Sequence, residues 1–358
     1  MIIAVLIVLG LAGLVAGGEI LVRGASSLAA AANISPLVIG LTVVAFGTSA
    51  PELAVSVQSC LAGKTDLAIG NVVGSNISNL LLILGFTSLL FPLAVHVRLF
   101  KLDFPVMVVA TVALWVVARD LVITRVDGLL LSLAMIAYFV WTVREGRKES
   151  RKLAAEFKDV VPEGDPTKAS SILVSIVQVV AGLALLVGGS DWLVDGCVRL
   201  AQMFGVSELV IGLTVVAIGT SMPELATAIV AASRGHRDLA VGNVVGSNIL
   251  NVLAVLGISA AVAPDGIRVD ARALAFDIPL MIAISLACMP ILLRDLTITR
   301  TEGLVMFVLF AAYLGLLAYS SIVGFEPTGQ TVLWISVPLL ASAGLVALLG
   351  IGRRSKHS

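Results

Sequence analysis

Residues 40–85 read GLTVVAFGTSAPELAVSVQSCLAGKTDLAIGNVVGSNISNLLLILG, and residues 212–257 read GLTVVAIGTSMPELATAIVAASRGHRDLAVGNVVGSNILNVLAVLG. At a constant offset of 172, 29 of the 46 positions are identical. Each copy sets one glutamate, Glu52 or Glu224, among Thr, Ser, Gly and Pro inside an otherwise apolar run. Self-similarity at a fixed offset means one structural unit used twice. A helix-breaking, acid-bearing segment in corresponding positions of two apolar halves points to a cation site at the interface between repeats.

Composition sets the solvent. The chain has 358 residues, 59% of them hydrophobic and only 13% charged. A soluble protein carries roughly a quarter charged residues, so this is a polytopic membrane protein. Net charge is zero, which leaves no basic surface for nucleic acid. Cys60, Cys197 and Cys288 are scattered in apolar runs and read as small core residues. His96, His236 and His357 form no ligand cluster. The opening MIIAVLIVLGLAGLV lacks the basic segment of a cleaved signal and reads as a retained first helix.

Apolar windows of about 20 residues predict spans at 1–22, 34–61, 69–92, 103–119, 124–143, 171–194, 206–233, 241–263, 273–293, 299–322 and 331–352. These make an all-α polytopic protein with two sets of five helices, residues 1–143 and 171–322. A linker at 144–170 joins the sets, and an extra helix spans 331–352. Five is odd, so the second set enters the membrane inverted relative to the first. Putting the linker in the cytoplasm places 17 of the 23 Lys and Arg on that side. By the positive-inside rule this puts the N-terminus outside and the C-terminus inside. Trp115, Trp141, Trp192 and Trp334 fall near predicted helix ends, where interface anchors belong.

Within FGTSAPEL (46–53) and IGTSMPEL (218–225), Pro51 and Pro223 each remove a backbone donor, and Gly47 and Gly219 loosen the preceding turn. The expectation is an interrupted helix in each repeat, with carbonyls of Ala45 and Ala217 available to a ligand. Thr48 and Glu52, like Thr220 and Glu224, are four apart and share a helical face. A buried carboxylate is costly unless paired or bound to a cation, and the helical parts of the repeats offer no Lys or Arg to pair with these two. GNVVGSNISN (70–79) and GNVVGSNILN (242–251) add neutral oxygens, with Ser75 and Asn79 on one face and Ser247 and Asn251 on another. Some of Asn71, Asn76, Asn243 and Asn248 are expected to bond freed backbone groups, and Gly70, Gly74, Gly242 and Gly246 to admit close helix approach. All candidate donors are hard oxygen, which suits Ca²⁺ and disfavours zinc or copper. Na⁺ is close to Ca²⁺ in radius and fits the same cage. Glu19, Arg23, Asp191 and Asp195 read as interfacial or paired charges, and Asp66 and Asp238 as helix caps.

GTSxPEL followed by GNxxGSNIxN, present twice, resembles the α-repeats of the sodium/calcium exchanger family in the cation/calcium exchanger superfamily. The likeness spans about residues 1–322 and is strongest in the two ion-binding repeats, 34–85 and 206–257. It implies ten core helices in inverted repeats and alternating access, with Ca²⁺ exported against inward Na⁺. The ligands it implies are Thr48, Ser49, Glu52, Ser75 and Asn79 with the Ala45 carbonyl, and Thr220, Ser221, Glu224, Ser247 and Asn251 with the Ala217 carbonyl. Some relatives carry Asp where this chain has Asn251, and that Asp goes with potassium dependence, which its absence disfavours. The short linker resembles prokaryotic members, hence a plasma (inner) membrane location.

The expected function is therefore an antiporter, not an enzyme, with Ca²⁺, Na⁺ and membrane lipid as partners and no cofactor beyond the transported ions. Ca²⁺ bridges Glu52 and Glu224 in this reading, and the first helix of each half slides over the repeat core, eased by Gly10, Gly13, Gly17 and Gly18 and by Gly182, Gly188 and Gly189. A cation/proton antiporter using the same glutamates is the alternative. A channel would more often show a symmetric subunit pore, and an intramembrane hydrolase would need a dyad or metal centre that these motifs lack.

Overall fold

Two helices are almost entirely sequestered from the surroundings, and they carry the GNVVGSNIxN motifs. The computed structural model describes residues 2–32, 34–156, 168–204, 217–323 and 331. In chain order its helices are α1 (Ile2–Ala32), α2 (Pro36–Thr48), α3 (Ala50–Leu61), α4 (Thr65–Leu90), α5 (Leu99–Val117) and α6 (Arg125–Glu156). The second half has α7 (Lys168–Met203), α8 (Met222–Ser233), α9 (Arg237–Val262), α10 (Ile278–Asp295) and α11 (Arg300–Val323). Among the described residues seven helices are long and apolar enough to cross a membrane, and α2 with α3 pass the same test together as a pair bent by 44°, the shape of a broken span or a re-entrant loop. The expected helix 331–352 beyond Thr331, the start of the expected span 206–233 and residues 157–167 of the linker lie outside the described residues.

Burial sorts the helices into a core and a coat. In their most apolar windows α4 and α9 are 78% and 89% buried, whereas α1, α6, α7 and α11 are at most a third buried. The coat exposes large apolar side chains such as Val8, Val15, Leu130, Leu173 and Val308, as a lipid-facing surface does. The polar side chains, including Ser75, Asn76, Asn79, Ser247, Asn248 and Asn251, point inward.

Among the described residues four two-residue strands, absent from the all-helical expectation, establish the inversion. β1 (Leu93–Ala94) follows α4, β2 (Val122–Ile123) follows α5, β3 (Ile267–Arg268) follows α9 and β4 (Thr297–Ile298) follows α10. β1 pairs antiparallel with β4, and β2 with β3. Because α5 runs the length of the molecule between β1 and β2, the two pairs sit at opposite ends. The connection after the third segment of the first half therefore lies at the opposite end from the corresponding connection of the second half. Leu121 and Leu296 adopt the left-handed conformation, with φ 65° and 48°. Such a conformation costs about 1 kcal/mol or more for a non-glycine residue. Each aims its carbonyl at the facing chain, accepting from Val269 (2.9 Å) and Val95 (2.6 Å) respectively.

The same reciprocity governs helix contacts. Gly85 on α4 lies against Gly303 on α11, and their counterparts Gly257 on α9 and Gly128 on α6 meet in the same way. α1 and α7 meet along a glycine seam. A Cβ placed on Gly17 would lie 2.8 Å from the Leu186 nitrogen, one on Gly182 would lie 2.6 Å from the Leu21 nitrogen, and one on Gly13 would lie 3.0 Å from the Gly189 Cα. These glycines bring two backbones into contact and join α1 to α7. Gly18 faces Val230 on α8 instead.

Replacing Gly182 by Leu is expected to force α1 and α7 apart and to cost about 1–3 kcal/mol. Thermal unfolding in detergent should show a midpoint several degrees lower. Gly188→Ala, at a position with no neighbour within 4 Å among the described residues, serves as the control and should leave the midpoint in place.

Candidate cation site

The first helix break shapes the site. Pro51 occupies the first turn of α3, and Ser49, at φ −82° and ψ 7°, is the joint between α2 and α3. Ser221, at φ −88° and ψ 5°, holds the same place before α8. Each break starts a new helix whose first turn contains the glutamate, so Glu52 and Glu224 stand at helix N-termini, where the backbone dipole favours negative charge.

The expected residues converge. Thr48, Ser49, Glu52, Ser75, Asn79, Ser221, Glu224, Ser247 and Asn251 are all buried, and the two glutamates are each 1% exposed. Thr220 is half-buried. Ser49 Oγ donates to Glu224 Oε1 at 3.4 Å, which joins the two repeats directly at the carboxylate. Thr48 also lies against Glu224, and Ser75 lies against Glu52. Thr48 Oγ1 contacts Asn243 Oδ1 at 3.2 Å, a second bridge between halves. Among the described residues neither glutamate has a Lys or Arg partner.

Several buried oxygens have no hydrogen-bond partner among the described residues: Oε2 of Glu52 and of Glu224, Oδ1 of Asn79 and of Asn251, and Oγ of Ser221 and of Ser247. Orphaned buried acceptors are rare and call for an explanation. All belong to the expected ligand set; the glutamate and asparagine oxygens are related by the two-fold, whereas the two serines both come from the second repeat. An oxygen-lined, doubly acidic chamber of this kind can hold a hard cation.

The carbonyls are less uniform than expected. Ala45 oxygen already accepts the Ser49 N–H at 3.0 Å, with the Thr48 hydroxyl at 3.4 Å, so one lone pair is committed. In the second repeat the Ser221 N–H goes to Ile218 oxygen at 3.1 Å, one residue past Ala217. Pro223 lacks the N–H that would satisfy Gly219 oxygen. Ser190 of α7 supplies the donor at 2.7 Å. Gly47 and Gly219 accommodate side chains of α7, Leu183 and Val194 respectively.

The remaining asparagines divide. Asn71 bonds backbone inside α3, not a group freed by the break, donating to the Glu52 carbonyl (3.0 Å) and also to Ser56 Oγ (2.9 Å). Asn76 and Asn248 instead accept from Asn251 and Asn79 across the two-fold, at 3.2 and 3.0 Å. Gly242 and Gly246 pack on Leu37 and Leu41 of α2 as expected, while Gly70 and Gly74 have no neighbour within 4 Å among the described residues. A cavity of about 620 Å³ reaches Ser75 and Thr220 from the end that carries Asp66 and Asp270. Asp66 and Asp238 lie in the first turns of α4 and α9. Glu19 forms a bidentate pair with Arg234, at 2.6 and 3.1 Å to Oε1, which ties α1 to the end of α8.

One constellation escaped the sequence reading. Arg98, Asp103 and Tyr138 form a buried cluster in which Tyr138 donates to Asp103 Oδ1 at 2.9 Å and Arg98 to Thr142 oxygen at 3.0 Å. Arg272, Asp277 and Tyr313 are its counterpart at the other end. The first ion pair has side chains 6% and 0% exposed, and the second 33% and 19%. No hydrogen bond joins Tyr313 to Asp277 among the described residues. The signal was present as RxxxxDxP at 98–105 and 272–279, with a tyrosine 35 and 36 residues after each Asp.

Comparison with known proteins adds an independent view of the chain. A family model described as sodium/calcium exchanger protein matches residues 2–144 and 174–319. The putative antiporter CaxA of Alkalimonas amylolytica is 41% identical over 319 residues, covering 87% of this chain and 98% of its own length. The sodium/calcium exchanger MaX1 of Methanosarcina acetivorans is 33% identical over 346 residues, covering 88% and 98%. The solved structure of the sodium-calcium exchanger NCX_Mj without Na⁺ and Ca²⁺ superposes with a TM-score of 0.74 at 28% identity, over 88% of this chain and 99% of that one.

Tyr138→Phe should leave the buried Asp103 short of a donor and cost about 1–3 kcal/mol, whereas Tyr313→Phe should cost less. Unfolding midpoints of the two variants in detergent compare the two ends directly. Equal losses would contradict the difference in bonding seen here.

Proposed function

The chain belongs to the sodium/calcium exchanger family, and from that premise we propose that it exchanges Na⁺ for Ca²⁺ across the membrane by alternating access at the chamber around Glu52 and Glu224. It is an antiporter of that family and an integral membrane protein. The observation that carries the proposal is the pair of fully buried carboxylates, one from each repeat, with no cationic side chain among the described residues to balance them. Two carboxylates balance one Ca²⁺ or two Na⁺, so either load leaves the chamber neutral. An empty, doubly charged chamber is expensive to carry through a low-dielectric barrier. Only the loaded protein then switches sides, which is the condition for exchange instead of leak.

The ligands are Glu52 and Glu224 with Thr48, Ser49, Ser75, Asn79, Thr220, Ser221, Ser247 and Asn251. The Ala45 carbonyl contributes through its second lone pair, and the Ala217 carbonyl through the oxygen that the Ser221 N–H bypasses. The orphaned oxygens of Asn79, Asn251, Ser221 and Ser247 favour Na⁺ over H⁺ as counter-ion, because a proton needs one carboxylate and a metal ion needs a cage. The same carboxylates would serve a Ca²⁺/H⁺ antiporter, which stands as the second reading.

The strand pairings group Arg98, Lys101, Arg294 and Arg300 near one end, and Arg119, Arg125, Arg268 and Arg272 near the other. Four basic residues at each end leave the two ends even, so the orientation rests on the basic 144–170 linker, placed in the cytoplasm with the N-terminus outside and the protein in a prokaryotic plasma membrane. The cavity reaching Ser75 then opens outward.

Proteoliposomes loaded with Na⁺, Li⁺ or choline test the proposal. Uptake of ⁴⁵Ca²⁺ is expected only with an outward Na⁺ gradient, and to be abolished in Glu52→Gln and Glu224→Gln while both variants remain folded. Uptake that ignores Na⁺ and follows a pH gradient would establish the second reading. Normal uptake in either variant would remove Glu52 and Glu224 from the mechanism.

A further inference from the structure

The two ends of a carboxamide are nearly isosteric, and one of them repels a cation. A buried asparagine serves a cation only if its partners turn the oxygen toward the ion and the N–H₂ away. Asn79 and Asn251 do present an unpartnered Oδ1, and the structure contains what turns them. Asn251 Nδ2 donates to Asn76 Oδ1 at 3.2 Å, and Asn76 Nδ2 donates to Met281 Sδ at 3.4 Å. On the other side of the two-fold, Asn79 Nδ2 donates to Asn248 Oδ1 at 3.0 Å, and Asn248 Nδ2 to Met107 Sδ at 3.5 Å. All six side chains are at most 2% exposed.

Both chains of donors run the same way, and both end on a thioether. Sulfur here accepts and has no proton to donate. Were Asn76 reversed, its oxygen would face the Met281 sulfur and its N–H₂ would face Asn251. Asn251 would then have to reverse as well, which would put its own N–H₂ in the chamber. Asn248 and Met107 impose the same logic on Asn79. We propose that Met107 and Met281 are positioning residues of the cation site: acting through Asn248 and Asn76, they fix the polarity of Asn79 and Asn251 so that oxygen faces the ion. This rests on Asn79 and Asn251 being ligands. The relay is woven across the repeats. Met107 of α5 in the first half acts on Asn79 of α4 through Asn248 of α9 in the second, and Met281 of α10 acts on Asn251 of α9 through Asn76 of α4.

Met107→Leu and Met281→Leu keep the side-chain volume and remove the acceptor. The half-saturating Ca²⁺ concentration for Na⁺-driven uptake should rise roughly fivefold in each, as expected for loss of one net hydrogen bond, with maximal rate within about twofold. A space-filling role would predict the same rise whatever stands at position 251, so the decisive measurement is a cycle with Asn251→Asp. A carboxylate has no N–H₂ end to misplace, so adding Met281→Leu to Asn251→Asp should move half-saturation by less than about twofold. Met107→Leu with Asn79→Asp gives the mirror cycle. If an Asp background does not transport, the Ca²⁺-dependent shift of the unfolding midpoint in detergent reads the same cycle.

An unchanged half-saturation in both single methionine variants overturns the proposal, and so does an equal rise in the Asn and Asp backgrounds. Asn79→Leu and Asn251→Leu separate this outcome from failure of the site itself. If they leave half-saturation in place, the two asparagines are not ligands. If they raise it while the methionine variants do not, only the relay falls.

Discussion

Two carboxylates sit in the middle of an apolar bundle with no cationic side chain beside them among the described residues, and much of the surrounding architecture follows from making that tolerable. The cost of removing a charge from water falls steeply if the charge meets hard cations and aligned dipoles. The helix breaks at Ser49 and Ser221 do part of this by placing each glutamate in the first turn of a new helix. The hydroxyls and amides of α4 and α9 do more by bringing neutral oxygens to the same chamber. α4 and α9 must then be the most buried helices, and the remaining helices must form the lipid-facing coat. The sequestered core is thus a consequence of the site.

The duplicated stretch made much of this legible. Parity of five helices predicted the inversion, and the strand pairs at the two ends supply the geometry for it. The breaks at Pro51 and Pro223, the inward Ser and Asn faces and the absence of a basic partner were all local statements, which sequence can make. What remained hidden was long-range. Met107 and Met281 look like two more core residues until Asn248 and Asn76 are seen bonding to them. Arg98, Asp103 and Tyr138 are spread over two helices and fall outside the duplicated block, so their repetition at 272, 277 and 313 went unread. The contact that the glycines of α1 and α7 make with one another also stayed hidden, because sequence reports a missing side chain without saying whether lipid, a side chain or another backbone fills the space.

Reciprocity also limits what one repeat can do alone. Asn79 is held by Asn248, Asn251 by Asn76, and Glu224 receives a bond from Ser49. Neither half completes its own set. In the proposed mechanism an ion bound at this chamber therefore acts on both halves together, which gives alternating access a reason to move them as a unit. The seam between α1 and α7 extends this to the coat, where backbone contact at Gly13, Gly17, Gly182 and Gly189 links the first helix of each half.

The proposed ligands are duplicated faithfully, and their supports are not. Thr48, Ser49, Glu52, Ser75 and Asn79 each have an identical counterpart 172 residues on. Ser56, which bonds Asn71, corresponds to Ala228, and Asn243 meets Thr48 instead. Ser190, which satisfies Gly219 oxygen, corresponds to Gly18, which has no hydroxyl. Arg234, which clamps Glu19, corresponds to Ala62. Two inverted repeats with identical supports would give the two faces of an alternating site equal free energy. A contact present in one repeat and missing from the other favours one face over the other only by the difference in its worth between the two conformations. Ligands must close around the same ion from either side and are held to identity, whereas supports are free to differ. In the proposed exchange a preference of the empty protein for one side has to come from unshared contacts that change between the two conformations, because identical ligands give none.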